Sequence, residues 1–147
     1  MIQPPENPFH VGVQQAFEPT ARLYADLNMQ FRVLHIDPNQ PKRSAAQISE
    51  LMIDHDGMIV CCPDSEEVAA ALRRFDEQRP VITLETDVHD SGRGTYIGSD
   101  NRKAGRVAGD LMGQLLRPAG GDMIIVTGLP STIGPEEREA GFRSVLH

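Results

Sequence analysis

Short apolar runs alternate along this chain with longer stretches in which apolar residues recur every three or four positions. The short runs predict strands at residues 31–36 (FRVLHI), 58–62 (MIVCC), 80–84 (PVITL), 95–98 (TYIG) and 123–127 (MIIVT). MIVCC and MIIVT are apolar at nearly every position, the pattern of strands covered on both faces. The longer stretches predict helices. One starts at Asn7-Pro8, where Asn caps and Pro suits the first turn. It carries Val11, Val13, Phe17, Ala21, Tyr24 and Ala25 along one side, and Pro19 predicts a kink or a break at Glu18. Residues 44–55 place Ala45, Ile48, Leu51 and Met52 on one face. Residues 63–78 are capped by Asp64 or Ser65, carry Glu66 and Glu67 at the positive helix end, and present Val68, Leu72 and Phe75 inward. A long helix follows from Asp100 or Asn101 to residue 116, and its Gly105 and Gly109 predict a closely packed neighbour. A Gly- and Pro-rich loop at 128–135 leads into a last helix.

Strands alternating with helices define an α/β fold whose sheet is parallel, with helices on both faces. Ligands of such folds sit beyond the carboxyl ends of the strands. That rule points to residues 7–10, 62–63, 85–87 and 128–137. Charge then narrows the choice of partner. With 14 Lys and Arg against 21 Asp and Glu, the net charge is −7. The basic pairs Lys42-Arg43, Arg73-Arg74 and Arg102-Lys103 are scattered on expected solvent faces, so the clustered basic surface that phosphate recognition needs is not seen. Cys61 and Cys62 are the only cysteines. Adjacent thiols make a strained ring, so both read as small buried groups in a reducing compartment. The polar opening residues do not read as a leader, and no apolar run is long enough to cross a membrane. These features predict a soluble, cytoplasmic chain.

Catalytic signals are weak. The loop GSDNRKAG departs from a G-x-G-x-x-G phosphate pattern, and the residues from Gly128 to Ser131 are no nucleophile elbow. His89-Asp90 and Asp54-His55-Asp56 fall in a loop and at a helix end, where polar residues are expected anyway. The expectation is a non-enzyme with no catalytic residue, cofactor or metal ligand set.

Four segments then resemble, in order, those of type I periplasmic-binding-protein-like domains. PENPFH resembles the NPFF start. GMIVCCPDSEEVAAALRRFDEQRPVITLETD resembles the block that runs from the apolar "DGIIL.P" strand to "IPVV.L". GTYIGSDNRKAGRVAGDLM resembles "VG.DN..AGR.AA..L", and MIIVTG with EEREAGFRSVL resembles "I..I.G......ER..GFR..L". The resemblance implies a first lobe at 1–100, its first strand largely missing ahead of Asn7, and the start of a second lobe at 101–147. It implies a sugar-sensing fragment of a LacI-type transcriptional regulator; the alternative is a fragment of a periplasmic sugar receptor serving an uptake transporter. The implied partners are a small carbohydrate effector, a second copy in a homodimer, and operator DNA only through a module outside this chain, with no membrane partner. Carried over by position, the ligand residues are Asn7, Phe9, His10, Glu85, Thr86, Asp87 and Glu136, and the hinge between lobes is Ser99, Asp100 and Asn101. His10 replaces a usual aromatic, Cys62 falls where Asn is frequent, and Glu136 falls where Arg is common. Because the chain is acidic and carries no reading helix, a gel shift at physiological salt should show no sequence-specific DNA complex at sub-micromolar concentration.

Overall fold

The computed structural model describes residues 2–3, 8–116, 119–127 and 133–146, and the side chains of all of these except 2–3, 8–10 and 25. Its centre is a five-stranded parallel sheet in the order β2-β1-β3-β4-β5. The strands are β1 (Ile2–Gln3), β2 (Leu34–His35), β3 (Met58–Val60), β4 (Val81–Leu84) and β5 (Thr95–Ile97). β2 to β5 are each shorter than the apolar runs that predict them. The two residues of β1 bridge the sheet: Ile2 pairs with Leu34 on one side and with Val60 on the other.

Burial along β3 and β4 alternates. Met58, Val60, Val81 and Thr83 are buried, while Ile59, Ile82 and Leu84 are only half-buried. The β3–β4 register sets Met58 beside Val81 and Val60 beside Thr83, so the buried residues share one face. Helices α2 (Pro41–Leu51) and α3 (Glu66–Asp76) cover that face, contributing Ile48, Val68, Ala71, Leu72 and Phe75 to a single core cluster. Full burial of Phe75 and Leu72 contributes roughly 1.5–3 kcal/mol each relative to exposure. α3 starts as its sequence predicts. Ser65 is extended (φ −147°, ψ 154°), its hydroxyl accepts from the Val68 amide at 3.3 Å, and Glu66 and Glu67 occupy the first turn. α2 starts three residues earlier than its amphipathic stripe, because Pro41 at the first helical position is pre-set for helix and needs no amide partner.

Two expectations are not met in full. Helix α1 (Pro8–Leu23) is continuous through Pro19, so of the two alternatives the break at Glu18 does not occur. Proline removes one helical hydrogen bond, and the exposed turn around it is tied by the Thr20 hydroxyl, which donates to the Ala16 carbonyl at 2.9 Å. The apolar side of α1 is also less covered than its spacing implies. Val13, Phe17 and Ala21 are half-buried, with Phe17 edge-on to Phe31 at 5.4 Å, but Val11 and Tyr24 are exposed.

The second failure is the strand expected at 123–127. Residues 121–127 form no ladder, and Ile124 and Val126 are 90% and 91% exposed. A strand exists only by pairing, and among the described residues no strand lies beside this segment. It runs instead along a cavity of about 550 Å³ between α4 (Asn101–Leu116) and α5 (Ile133–Arg143), lined by Met112, Ile125 and Phe142 among others. These two helices pack on each other. A Cβ at Gly105 would strike the Arg138 carbonyl, and one at Gly141 would strike the Arg102 carbonyl, so each backbone seats against the other only through glycine. The opposite side of α4 exposes Val107, Leu111 and Leu115, an i, i+4, i+8 ridge with no cover among the described residues.

The ridge and the unpaired segment therefore add little to the stability of this chain but favour association. Leu111→Glu with Val126→Glu should shift stability by no more than about 0.5 kcal/mol. The same pair should narrow the mass distribution toward monomer in sedimentation velocity.

Candidate functional site

Parallel strands in register end at one rim, and the residues just beyond them are brought together. Beyond β3 stand Cys61, Cys62 and Asp64; beyond β4 stand Glu85, Thr86, Asp87 and His89; beyond β5 stand Ser99 and Asp100. Glu85 is the turning point. Its amide donates to the Ile97 carbonyl at 2.8 Å, continuing the β4–β5 contact, and the Thr86 amide folds back onto the Leu84 carbonyl at 2.7 Å. This γ-turn sets Glu85 at φ 66°, the left-handed region that a side chain rarely adopts. Such backbone costs on the order of 1–3 kcal/mol and survives only where surroundings over-determine it. Here the Tyr96 hydroxyl lies 3.1 Å from both the Glu85 carbonyl and the Ser99 carbonyl and shares its one proton between them. The Glu85 carboxylate accepts at Oε2 from the Thr86 hydroxyl (2.8 Å) and from the Cys61 thiol (3.3 Å). Among the described residues, no donor reaches Oε1.

Asp87 is placed differently. Its Oδ1 accepts from the Thr83 hydroxyl (2.9 Å), the Val88 amide (2.9 Å) and Arg93 Nε (2.6 Å), and Oδ2 pairs with the Arg93 terminal nitrogen. Burial works to raise its pKa, but the hydrogen bonds from Arg93, Thr83 and Val88 outweigh it and hold the carboxyl below its ordinary 3.8. Asp87 is thus the clamp of the rim loop. Asp64 fastens the next turn, accepting from the His89 amide at 3.1 Å and facing the His89 ring nitrogen Nδ1 at 3.0 Å. That hydrogen bond raises the His89 pKa above 6.5. Tyr96 is raised by burial and then by the charges of Asp87, Glu85 and Glu137.

The two thiols differ. Cys62 belongs to the core cluster and is 2% exposed, and burial pushes its pKa up. Cys61 is 4% exposed, and burial, then the Glu85 charge, push it up to about 12. Cys61, not Cys62, is therefore the cysteine that reaches the site.

Of the remaining expected positions, Asn7 lies outside the described residues. Phe9 and His10 fall in the first turn of α1, at its amino end. Glu136 is exposed in the first turn of α5, and its neighbour Glu137 adds its charge, after that of Asp87, to the raising of both His89 and Tyr96. At the expected hinge, the Ser99 carbonyl receives the Tyr96 hydroxyl, and Asp100 caps α4 by accepting the Lys103 amide at 2.8 Å. Asn101 is buried, and its side-chain oxygen accepts from Arg138 Nε at 3.2 Å, tying the start of α4 to α5. Among the described residues no cluster of three or more His, Cys, Asp or Glu is arranged to hold a metal.

Cys61 escaped the sequence reading of the site, as did the clamp formed by Asp87 and Arg93, and Glu137 fell within the 128–137 range without being singled out. Counting one residue past the last paired strand position would have singled out Cys61. A bond spanning six residues of loop, as between Asp87 and Arg93, leaves no periodic trace.

A parallel α/β sheet with polar residues gathered at its carboxyl rim has the form of the open α/β folds that take ligands at that rim. The chain belongs to the periplasmic binding protein domain family, whose profile matches residues 1–147. It has the type I fold of that family and covers its first lobe. It is 27% identical over 143 residues to the ribose import binding protein of Salmonella typhimurium, a match that covers 95% of this chain and 46% of that protein. A solved transporter solute-binding protein from Burkholderia graminis, in complex with D-arabinose, superposes with a TM-score of 0.79 at 26% identity, over 99% of this chain and 50% of that one. A Bacteroides fragilis protein named as a candidate LacI transcriptional regulator superposes at 0.83 with 19% identity, over 98% of this chain and 53% of that one. The chain thus spans about half the length of these relatives.

The two ionic anchors of the rim should titrate with opposite sign. Asp87 has a lowered pKa, so its contribution is fully present above 3.8 and is lost as pH falls through the lowered value. His89 has a raised pKa, so its smaller, half-exposed contribution is present below 6.5 and is lost as pH rises through the raised value. Asp87→Asn should lower the melting temperature at neutral pH, and its deficit should shrink on acidification, as read by circular dichroism melts across the acid range.

Proposed function

We propose that this chain supplies the first-lobe half of a sugar receptor of the uptake-transporter type, taking a small hydroxyl-rich ligand between the strand rim and the start of α5. The observation that carries the reading is Glu85. It is a carboxylate at the mouth of β4, held by Cys61 and Thr86 through one oxygen, with the other free to accept a ligand hydroxyl. Thr86, Asn7, Phe9, His10 and Glu136 are proposed as the further ligand positions, with Ser99, Asp100 and Asn101 as the passage between lobes. Asp87 supports the loop that carries Glu85. The relatives favour this reading over a transcriptional sensor: the ribose and arabinose proteins are named for import or transport, whereas the regulator-like neighbour, at 19% identity, speaks for fold alone. The receptor reading also places the intact protein outside the cytoplasm, against the expectation drawn from its thiols. Both thiols are buried and protonated at neutral pH, and adjacent cysteines do not readily bridge, so an oxidising compartment would leave them intact.

A two-lobed cleft draws its affinity from both sides and from exclusion of water on closure. With one lobe, hydroxyl hydrogen bonds compete against water and contribute only about 1 kcal/mol each. The isolated chain should therefore bind pentoses and hexoses no more tightly than about millimolar. Amide chemical-shift titration against D-ribose, D-arabinose and D-glucose reads this directly: shifts should concentrate at 84–87, and Glu85→Ala should remove them. Micromolar binding would place a complete site elsewhere, and no perturbation at 84–87 by any of the three sugars would overturn the reading.

A further inference from the structure

We propose that Cys61 is a positioning residue for Glu85: the thiol donates to Oε2 and so fixes the carboxylate with Oε1 presented as its single free acceptor. The inference rests on the sugar-receptor reading and deepens it.

Three features carry it. The first is place. Cys61 and Glu85 each follow immediately on a paired strand, and the β3–β4 register brings these strand ends level. The sulfur stands 3.3 Å from Oε2 across 24 residues of sequence. The second is chemical state. Burial and then the neighbouring carboxylate push the thiol up to about 12, so it is a donor at neutral pH. The third is division of labour. Thr86 reaches the same oxygen at 2.8 Å, but it is the next residue and moves with Glu85. Cys61 directly follows another strand, and it alone among the described residues ties the carboxylate to the sheet from outside its own turn. Because Glu85 sits in left-handed backbone, its side chain has no regular strand or helix geometry to direct it, and that cross-strand tie supplies the direction. A cysteine suits the role, since its weak S–H donor adds little polarity to a buried position.

Infrared spectroscopy of the whole chain tests the pair without any ligand. The S–H stretching region should contain a band displaced to low frequency. Cys61→Ser should remove that band, and Glu85→Gln should move it back toward the frequency of an unbonded thiol. A band indifferent to Glu85→Gln overturns the proposal whatever the ligand does. Binding is then read by amide chemical-shift titration with D-ribose. Cys61→Ser, which keeps a donor, should stay within about twofold of the unaltered chain, whereas Cys61→Ala should weaken binding about fivefold, the loss of one orienting hydrogen bond. Cooperative melts of both variants confirm that they fold. Equal affinities for Cys61→Ala and the unaltered chain would overturn positioning while leaving the receptor reading intact. If the unaltered chain gives no shift at 84–87 with any of the three sugars, the receptor reading fails, and this one with it, even if the displaced band is present.

Discussion

Everything at the rim depends on the lateral pairing of β3 and β4. Val60 lies beside Thr83, and each chain then runs one or two residues further before turning. A slip of one residue would exchange the faces of a strand, sending Thr83 and Val81 outward and taking Glu85 out of reach of Cys61. The register is held because one face of both strands is sealed by Ile48, Leu72 and Phe75, and the one polar side chain on that face of the paired strands, Thr83, is satisfied by Asp87. Core packing and site geometry are therefore one constraint here: the helices that bury the sheet also decide which side chains meet at its end.

The most legible parts of the fold were those in which local signals agreed. β4 and α3 have apolar pattern, cap and charge placement all pointing the same way, and they formed within a few residues of expectation. Where a single signal stood alone, the result was less faithful. MIIVT has an ideal strand composition, but composition supplies no partner, and the segment stays unladdered. Pro19 is a strong breaker by itself, yet an exposed helix with a hydroxyl one residue on carries it through. At the site, Glu85 and Thr86 could be found because position after a strand predicts a rim residue. The thiol contact, the Arg93 clamp and the influence of Glu137 arise from contacts between distant segments, which spacing along the chain does not encode.

The two ends of the described chain differ in how they are held. The sheet with α2 and α3 is a conventional core. α4 and α5 instead rely on backbone-to-backbone proximity through Gly105 and Gly141, with Asn101 and Arg138 as a polar rivet. Their remaining surfaces carry Val107, Leu111 and Leu115 into solvent.

The clamp formed by Asp87, Thr83 and Arg93 has a consequence for how a guest is received. A loop already stitched at three points has little conformational freedom left to surrender, so seating a ligand against it carries a small ordering penalty. Arg93 also lies over the Tyr96 ring at 5.9 Å, linking the loop to the next strand. Under the proposed receptor reading the rim is therefore a fixed surface, and adjustment to the shape of a guest falls to whatever closes over it and not to reshaping of the surface first touched.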